Sequence, residues 1–464
     1  MTDFTLDALR ERHGDQWRWY AVATVMLGTM ATVLSATIVN VALPDIMADF
    51  AIHQGIAHWF ATGFIAAMTT SMLATGWFLD RFGLRRTLGA AMALFTLISV
   101  AGGLAPSPGW LILTRVGQGV MAGLMQPMAM YLVFRVFPRD QRGRAMGIYG
   151  MGVILAPALG PVLGGFLVDQ LDWRFVMFAP APVTLLGLFM VRRFIPHPVN
   201  PLRHVPFDGA GLLWLSLTIA LSLDALNRLQ HGSQQVPVIV AEIVLTLLSL
   251  ALFVRRERRA THPLMHLPLM AQPAFRAACL GALALGLALF GSTYLIPLFV
   301  QSPPLSYSAT DAGLLMLPAG VVLGIVFPVA GRLADRRPAR GLIVAGILIF
   351  AVSTSLFALS DIALGFGWLA LWAVIGRIGL GFMLPALSTG ALNPLATQEL
   401  GHGSGIINFM RMLGGAYGVN AAALTLAFGD QRNGMPTVEA FHAVWWLMTG
   451  CILLALVPIH RLRQ

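Results

Sequence analysis

The chain contains no lysine, and all 30 of its basic residues are arginine. This absence excludes Schiff-base lysine chemistry and any Walker-type phosphate loop, because that loop requires Gly-Lys-Ser/Thr. Charge is scarce as well: 11% of the 464 residues are charged, whereas soluble domains usually carry about 25%. With 57% hydrophobic residues, the composition excludes a large soluble enzyme, a nucleic-acid-binding protein and a disordered chain.

Cysteine is nearly absent. Cys279 and Cys451 both lie inside apolar runs, so they form neither a disulfide framework nor a metal site. The sequence also shows no nucleophile–base pair and no His/Glu cluster with catalytic or metal-ligand spacing. We therefore expect no enzyme activity, no metal and no organic cofactor.

Long apolar runs fill the chain instead. A membrane helix needs roughly 20 mainly apolar residues, and the sequence holds fourteen such segments. They predict an all-α polytopic membrane protein with fourteen transmembrane helices. The segments cover approximately residues 20–43, 59–79, 88–105, 111–133, 145–168, 175–195, 210–226, 236–254, 277–300, 312–330, 342–359, 368–387, 405–428 and 443–459.

The arginines predict the orientation of these helices. If the N-terminus is cytoplasmic, 24 of the 30 arginines fall in cytoplasmic segments, three in exterior segments and three within spans. Cytoplasmic loops carry an excess of basic residues, so we expect both termini in the cytoplasm. The net charge of +10 is then a topological signal and not a surface for nucleic acid.

Two motifs recur along the chain. GxxxDR occurs at residues 76–81 and 331–336, and RxGxGxM occurs at residues 115–121 and 377–383. Each recurrence lies eight helices further on, so the paired helices have the same orientation. Two parallel six-helix bundles give this pattern, which is a transporter architecture with the substrate site near the midplane.

The repeat predicts three parts of the chain. The expected divisions are an N-terminal six-helix bundle with a short cytoplasmic N-terminus at residues 1–200, an inserted hairpin of helices 7 and 8 with flanking loops at 201–272, and a C-terminal six-helix bundle at 273–464.

Residues 76–86, GWFLDRFGLRR, resemble the loop between helices 2 and 3 of the major facilitator superfamily, in particular its fourteen-helix drug:proton antiporter family. The resemblance covers essentially the whole chain and implies the major facilitator fold. In that family this loop is a latch of the cytoplasmic gate; the alternative is a solvated loop that only sets orientation. The gate candidates are Gly76, Asp80, Arg81, Gly83, Arg85 and Arg86.

The segment Gly160-Pro161-x2-Gly164-Gly165 in helix 5 resembles the motif of the exporting, antiporting branch. Small residues let helices approach closely, and Pro161 removes one backbone N–H from the helix. The motif therefore implies antiport, and a plain packing seam is the alternative.

Polar residues within the spans predict a substrate cavity. Residues 35–40, SATIVN, resemble the helix 1 signature of the family, but Ser35 stands where the family commonly has aspartate. Three unpaired intramembrane arginines would cost about 8–10 kcal/mol, so we expect them to face water, polar partners or substrate, with helix bracing as the alternative. The cavity candidates are Ser35, Thr37, Asn40, Arg115, Gln118, Gln126, Arg377, Asn408 and Arg411.

Neither six-helix bundle has a carboxylate in the middle of a span. The acids deep in spans are Asp224 in helix 7 and Glu242 in helix 8, which makes them the candidates for proton coupling. For Glu242 a lipid-interface position near the outer end is the alternative. His53 and His58, near the outer end of helix 2, could relay protons or have only surface roles.

The resemblance implies a secondary active exporter of lipophilic small molecules in the bacterial cytoplasmic (inner) membrane. It implies multidrug-type efflux, as in antibiotic resistance, by alternating access, with a proton gradient as the energy source. Intramembrane arginines without acids predict a cavity biased toward anionic or neutral substrates. The alternative is an importer or facilitator of an organic anion without proton antiport. We expect a monomer that contacts lipid, substrate and protons, and nothing in the sequence indicates a periplasmic adaptor.

Overall fold

The computed structural model describes residues 6–196, 205–230, 236–303, 305–361, 365–429, 431–432 and 435–460, and these residues are almost entirely helical. A two-residue antiparallel pair, β1 (Gln431–Arg432) and β2 (Met435–Pro436), pairs Gln431 with Pro436 and Arg432 with Met435. The helices are α1 Leu6–His13, α2 Trp17–Asp49, α3 Gln54–Ala57, α4 Trp59–Ser71, α5 Thr75–Gly103, α6 Pro108–Val136, α7 Arg142–Gln170, α8 Trp173–Phe178, α9 Ala181–Phe194, α10 Gly209–Gln230, α11 Val236–Arg259, α12 Leu267–Ala271, α13 Pro273–Gln301, α14 Ala309–Ala334, α15 Ala339–Ala358, α16 Phe366–Leu392, α17 Leu400–Phe428, α18 Val438–Leu454 and α19 Leu456–Ile459.

Each predicted span corresponds to one or two of these helices, which confirms the all-α prediction. Within the described ranges, eleven helical segments are long and apolar enough to cross a membrane. One of them, Trp59–Gly103, contains two predicted spans. The long glycine-rich helices α7 and α17 are not among the eleven, so the count of fourteen spans stays a prediction.

The turn inside Trp59–Gly103 depends on a glycine. Gly83 has φ 76° and ψ 163° within α5, a backbone conformation that a side chain disfavours. Thr87 stabilises the turn, because its Oγ1 donates hydrogen bonds to the carbonyls of Gly83 (2.8 Å) and Phe78 (3.1 Å). Two predicted spans therefore follow one another through a sharp bend at Gly83.

Polar residues cap several helices at their first turn. Ser107 accepts a hydrogen bond from the backbone N–H of Trp110 at the start of α6. Ser308 and Asp311 form a capping box at the start of α14. These side chains satisfy N–H groups that the first turn of a helix leaves without partners.

The helices pack as two similar groups. α2 and α4 to α9 contact one another, and so do α13 to α18. In the first group Thr96 of α5 lies 2.6 Å from Thr184 of α9, joining the two hydroxyls. In the second group Thr354 of α15 lies 2.7 Å from Thr449 of α18. The same hydroxyl pair, about 260 positions apart, shows that the sequence repeat is also a repeat of contacts.

The end of the bundle that carries Arg81, Arg142 and Arg336 is called here the arginine-rich end. At this end the two groups meet through glycines of α7 and α14, because a Cβ on Gly143 would overlap the carbonyl oxygen of Gly331, and a Cβ on Gly331 that of Gly143. No side chain fits between these backbones, so the groups are closed against each other at the arginine-rich end.

Toward the opposite end the same two helices have free space beside them. A Cβ on Gly165 of α7 or on Gly313 or Gly320 of α14 would meet no atom within 4 Å among the residues that the structure describes. The backbone contact between Gly143 of α7 and Gly331 of α14 therefore lies at the arginine-rich end.

The remaining pair, α10 and α11, forms a hairpin that packs on both groups through α10. α10 contacts α4 of the first group and α17 of the second, whereas α11 packs mainly against α10. The first helix of the hairpin thus lies between the groups, and the second lies outside them.

Candidate functional site

Arg115 is the most buried charged side chain of the predicted cavity, with 1% of its surface exposed. Its Nη1 donates to Ser35 Oγ at 2.9 Å and to Gln118 Oε1 at 2.8 Å, and its Nε donates to the Phe60 carbonyl at 3.0 Å. The guanidinium also lies 4.3 Å from the Phe64 ring centroid, a distance typical of a cation–π contact. The cation is therefore held by α2, α4 and α6 together without a carboxylate.

Arg115 and Gln118 are three residues apart, which places both side chains on one face of α6. Gln118 continues the network, because its Nε2 donates to Ser99 Oγ at 2.8 Å. Nη2 of Arg115 is buried and has no hydrogen-bond partner among the described residues. The N–H groups of Arg115 Nη2 can thus bind a ligand or water.

Arg377 repeats this arrangement in the second group of helices. It is 5% exposed, and its Nη2 donates to Thr293 Oγ1 at 2.9 Å. Thr293 follows Ser35 by 258 positions and Arg377 follows Arg115 by 262. Each group therefore places an arginine of its fourth span on a hydroxyl of its first span.

Arg411 joins the two groups near their interface. Its Nη2 lies 2.9 Å from Asn408 Oδ1 on the same helix, α17, and 3.3 Å from Gln126 Oε1 on α6. Asn408 is 3% exposed and Gln126 is 6% exposed, and the Asn408 amide also contacts Met130 Sδ of α6 at 3.7 Å. These three residues form a polar bridge between the groups, surrounded by apolar side chains.

Among the residues that the structure describes, the hydrogen-bond partners of the three arginines are hydroxyls, amides and a backbone carbonyl. Such partners satisfy donors but leave the positive charge uncompensated. A site of this kind can attract an anionic or polar neutral group, because an anion gains charge-assisted hydrogen bonds there. It offers a cation no carboxylate to pair with.

The other two residues of the helix 1 signature do not join this network. Thr37 is half-buried, and its hydroxyl donates to the Val33 and Leu34 carbonyls of its own helix. Asn40 is exposed.

The glycines of the antiporter motif differ in what they contact. A Cβ on Gly160 would overlap Thr37 Oγ1, and a Cβ on Gly164 would lie 2.9 Å from Ile38 Cγ1, whereas Gly165 has nothing within 4 Å. Gly160 and Gly164 thus let α7 approach α2 closely, as a packing seam requires. The side chain of Pro161 lies outside the described residues.

The predicted gate loop contacts α17 at the arginine-rich end. Asp80 Oδ2 lies 3.5 Å from His402 Nε2, and Gly76 faces the His402 ring so closely that a Cβ would overlap it. Arg85 donates to the Arg192 carbonyl at 2.6 Å. Arg81 is half-buried and Arg86 is exposed.

The second copy of the motif makes a stronger contact. The carboxylate of Asp335 accepts hydrogen bonds from the backbone N–H groups of Gly143 (2.6 Å) and Arg144 (2.8 Å), at the start of α7. An acid at a helix N-terminus is also favoured by the helix dipole. Burial raises the pKa of Asp335, against the opposing effect of these hydrogen bonds. The two copies of the motif therefore have different partners. Asp335 accepts hydrogen bonds from backbone N–H groups of α7, whereas Asp80 contacts the side chain of His402.

A second histidine, His266, lies beside His402 at the arginine-rich end. The His266 ring centroid is 5.4 Å from that of His402. Burial, followed by the neighbouring His402, lowers the pKa of His266.

The proton-coupling candidates meet at the opposite end of the bundle. Arg228 Nε lies 3.0 Å from Asp224 Oδ2 and 3.0 Å from Glu242 Oε1, so that one guanidinium joins α10 to α11. Asp224 Oδ1 lies 3.2 Å from His58 Nε2, at the start of α4. Both carboxylates are buried, with 6% of Asp224 and 9% of Glu242 exposed.

The hairpin is also hydrogen-bonded to the second group of helices. Ser222 Oγ of α10 lies 2.6 Å from the Tyr417 hydroxyl of α17, and Gln230 Nε2 donates to Asn420 Oδ1 at 2.9 Å. α10 thereby links α4, through the Asp224–His58 contact, to α17 at the seam between the groups.

Several residues of these networks lie outside the predicted site, among them Thr293, His402 and Arg228. Two had a signal in the sequence, because Thr293 and His402 stand 258 positions after Ser35 and Arg144. Arg228 had no such signal, and for His58 the sequence suggested a proton relay without a partner, since both contacts depend on how the hairpin packs. Within the described ranges no group of three or more His, Cys, Asp or Glu residues could hold a metal ion.

Comparison with known proteins gives a consistent family. The model of the Major Facilitator Superfamily matches residues 25–419. The puromycin resistance protein pur8 of Streptomyces alboniger is 31% identical over 411 residues, which cover 87% of this chain and 81% of that protein. The multidrug resistance protein B homolog of Mycobacterium tuberculosis is 30% identical over 410 residues, which cover 87% of this chain and 75% of that protein.

A solved structure with the same fold is that of the human organic anion transporter MFSD10 (TETRAN). The TM-score is 0.68 at 15% sequence identity, and the match covers 96% of this chain and 99% of that chain. At this identity the likeness concerns the fold alone.

Proposed function

Since the chain belongs to the major facilitator superfamily, we propose that it is a secondary active exporter of lipophilic small molecules in a bacterial cytoplasmic membrane. It works by alternating access, takes its energy from inward proton flow and needs no cofactor. The drug-resistance names of two bacterial relatives support export.

The cavity prefers anionic or neutral substrates over permanent cations. The observation that carries this proposal is the set of three arginines, Arg115, Arg377 and Arg411, whose hydrogen-bond partners within the described part of the chain are all uncharged. A cationic substrate would bring a further positive charge into a medium of low dielectric, where like charges repel strongly. An anionic group would instead use donors such as the unpartnered Nη2 of Arg115.

The proton site is the cluster of Asp224, Glu242, Arg228 and His58. Two carboxylates face one guanidinium, so the cluster has an excess negative charge that one proton neutralises, on a carboxylate or on His58. Its position on α10, between α4 and α17, lets a change of charge act on the seam between the two groups.

The arginine-rich end is the cytoplasmic face, and both termini lie on that side. This assignment follows the excess of basic residues in cytoplasmic loops. The chain then divides into bundles at residues 1–200 and 273–464 with the hairpin at 201–272, and it acts as a monomer. The contacts between Gly143 and Gly331 close the cytoplasmic side in this conformation.

Transport into inverted membrane vesicles tests the proposal. In these vesicles the cytoplasmic face is outside and respiration acidifies the lumen, so an exporter accumulates substrate inside. We expect an organic acid to accumulate much more than a quaternary ammonium dye of similar size, and nigericin, which collapses the pH gradient, to abolish the accumulation.

Variants separate proton coupling from simple transport. We expect Asp224→Asn and Glu242→Gln each to lower pH-driven accumulation by about tenfold or more, the range of ordinary coupling energies. Asp45→Asn is the matched control, since it removes an exposed carboxylate from α2. Strong dye efflux that depends on neither Asp224 nor Glu242 would contradict both the substrate bias and the proton site.

A facilitator of an organic anion is the second candidate. It is favoured by Ser35, whose neutral hydroxyl holds Arg115 where the family commonly has an acid. This candidate predicts that the organic acid equilibrates across the membrane at the same rate with and without a pH gradient, and that the Asp224 and Glu242 variants transport normally.

A further inference from the structure

The second helix of the hairpin is the most exposed of the long apolar helices. In the most apolar window of α11, 17% of the residues are buried, the lowest share among the eleven candidate spans of the described part. Leu247 is 61% exposed and Leu250 is 41% exposed. Because α11 packs mainly against α10, its outer face contacts lipid in a membrane.

The end of α11 carries five consecutive charged residues, RRERR at positions 255–259. Two of them face the protein. Arg256 Nε lies 2.9 Å from Asp208 Oδ1, and the Glu257 carboxylate accepts hydrogen bonds from the N–H groups of Leu264 (3.1 Å) and Met265 (2.9 Å). These contacts fasten the helix end to the loops on either side of the hairpin.

The other three charges, Arg255, Arg258 and Arg259, face outward and are exposed. They line one open groove of about 530 Å³, together with Leu247, Leu250 and Val254. Spacings of three and four residues place all six on one face of the helix. Among the residues that the structure describes, these three arginines have no ion-pair partner.

We propose that this groove binds one anionic glycerophospholipid. Its phosphate contacts Arg255, Arg258 and Arg259, and one acyl chain lies along Leu247, Leu250 and Val254. Guanidinium groups match phosphate oxygens with paired hydrogen bonds, which distinguishes this site from a general attraction to the surface. From Leu247 to Arg255 the helix rises about 12 Å, close to the roughly 15 Å depth of one leaflet of hydrocarbon.

The charge of the groove decides which lipid fits. A zwitterionic headgroup brings its own cation to the three arginines, whereas phosphatidylglycerol brings a net negative charge. A basic residue at an anionic membrane surface is worth about 1 kcal/mol, which is about a fivefold change in binding. Three arginines acting on one headgroup therefore account for about a 100-fold preference.

Native mass spectrometry of the purified, delipidated full chain tests this site. Dioleoyl phosphatidylglycerol, dioleoyl phosphatidylcholine and inorganic phosphate are titrated separately into the wild type and three variants. We expect the triple variant R255Q/R258Q/R259Q to raise the apparent Kd for phosphatidylglycerol about 100-fold. R258Q alone, which is milder and preserves the fold, raises it about fivefold.

The matched control is R336Q/R337Q/R340Q, which removes two exposed arginines from the loop between α14 and α15 and one from the first turn of α15, at the same end of the bundle. It keeps the wild-type affinity if the groove on α11 is the site. An equal loss of affinity in the control, an equal affinity of the wild type for phosphatidylcholine, or competition by inorganic phosphate at the lipid concentration each overturns the proposal.

Discussion

Arg115 and Arg377 occupy repeated positions but differ in their expected effect on stability. Arg115 makes three hydrogen bonds, to the Phe60 carbonyl, Ser35 and Gln118, whereas Arg377 makes one, to Thr293. A hydrogen bond to a charged group contributes about 1.5–3 kcal/mol. Placing the cation inside the membrane costs about 2.5–3.5 kcal/mol, and a substitution by methionine removes that cost along with the bonds.

The balance between lost hydrogen bonds and recovered burial cost therefore differs between the two positions. For Arg115→Met, the loss of three bonds exceeds the recovered cost, and we expect the free energy of unfolding to fall by about 2–6 kcal/mol. For Arg377→Met the two terms nearly cancel, so the change is within about 1–2 kcal/mol of zero. Arg115→Met also removes the donor to Ser35 Oγ and Gln118 Oε1 in a buried site, which adds to its cost.

Thermal unfolding of the purified protein in detergent measures this difference. The chain has 11 tryptophans, so intrinsic fluorescence follows the transition. We expect the Tm of Arg115→Met to fall by several degrees and that of Arg377→Met to stay close to the wild-type value. Equal shifts in the two variants, or a larger shift for Arg377→Met, would refute the reasoning that counts hydrogen bonds against the cost of burial.

Two further predictions concern closure of the arginine-rich end, measured as spin-label distances between the ends of α7 and α14 there. Gly331→Ala should widen this distance, because its Cβ overlaps the Gly143 carbonyl. Gly320→Ala, on the same helix and with nothing within 4 Å of its Cβ, should leave the distance unchanged. An unchanged distance in Gly331→Ala would contradict the proposed backbone contact. Asp335→Ala should favour the open end by about fivefold or more, because it loses two hydrogen bonds from backbone N–H groups. Asp80→Ala should have a smaller effect, because it loses one longer contact to His402. The reverse order would show that the histidine latch dominates.

The sequence predicts contacts within one helix better than contacts between helices. Arg115 and Gln118 are three residues apart, so helix geometry alone places their side chains together, and their atoms lie 2.8 Å apart. Gly83 is predictable for a similar reason, because the tight turn between two predicted spans requires a residue that tolerates positive φ. Local geometry needs only the spacing of residues, and the sequence supplies that spacing.

Contacts between distant segments could not be predicted from the sequence, because they depend on how the helices pack. The Asp224–His58 contact joins residues 166 positions apart, and it depends on α10 lying against α4. No periodicity in the sequence specifies which helices are neighbours. The repeat is the exception, since an offset of 258 applied to Ser35 and Arg144 would have identified Thr293 and His402. Apolar patterning therefore predicts the elements, and internal symmetry predicts part of their contacts.

The position of α10 limits how the two groups of helices can move. α10 is hydrogen-bonded to α4 through Asp224 and His58, and to α17 through Ser222 and Tyr417. If the groups rock as rigid bodies, the hairpin can travel with only one of them, and its other interface must shear. Each transport cycle then breaks one of these two sets of hydrogen bonds. The turnover rate therefore depends on how strongly α10 is held by α4 or by α17.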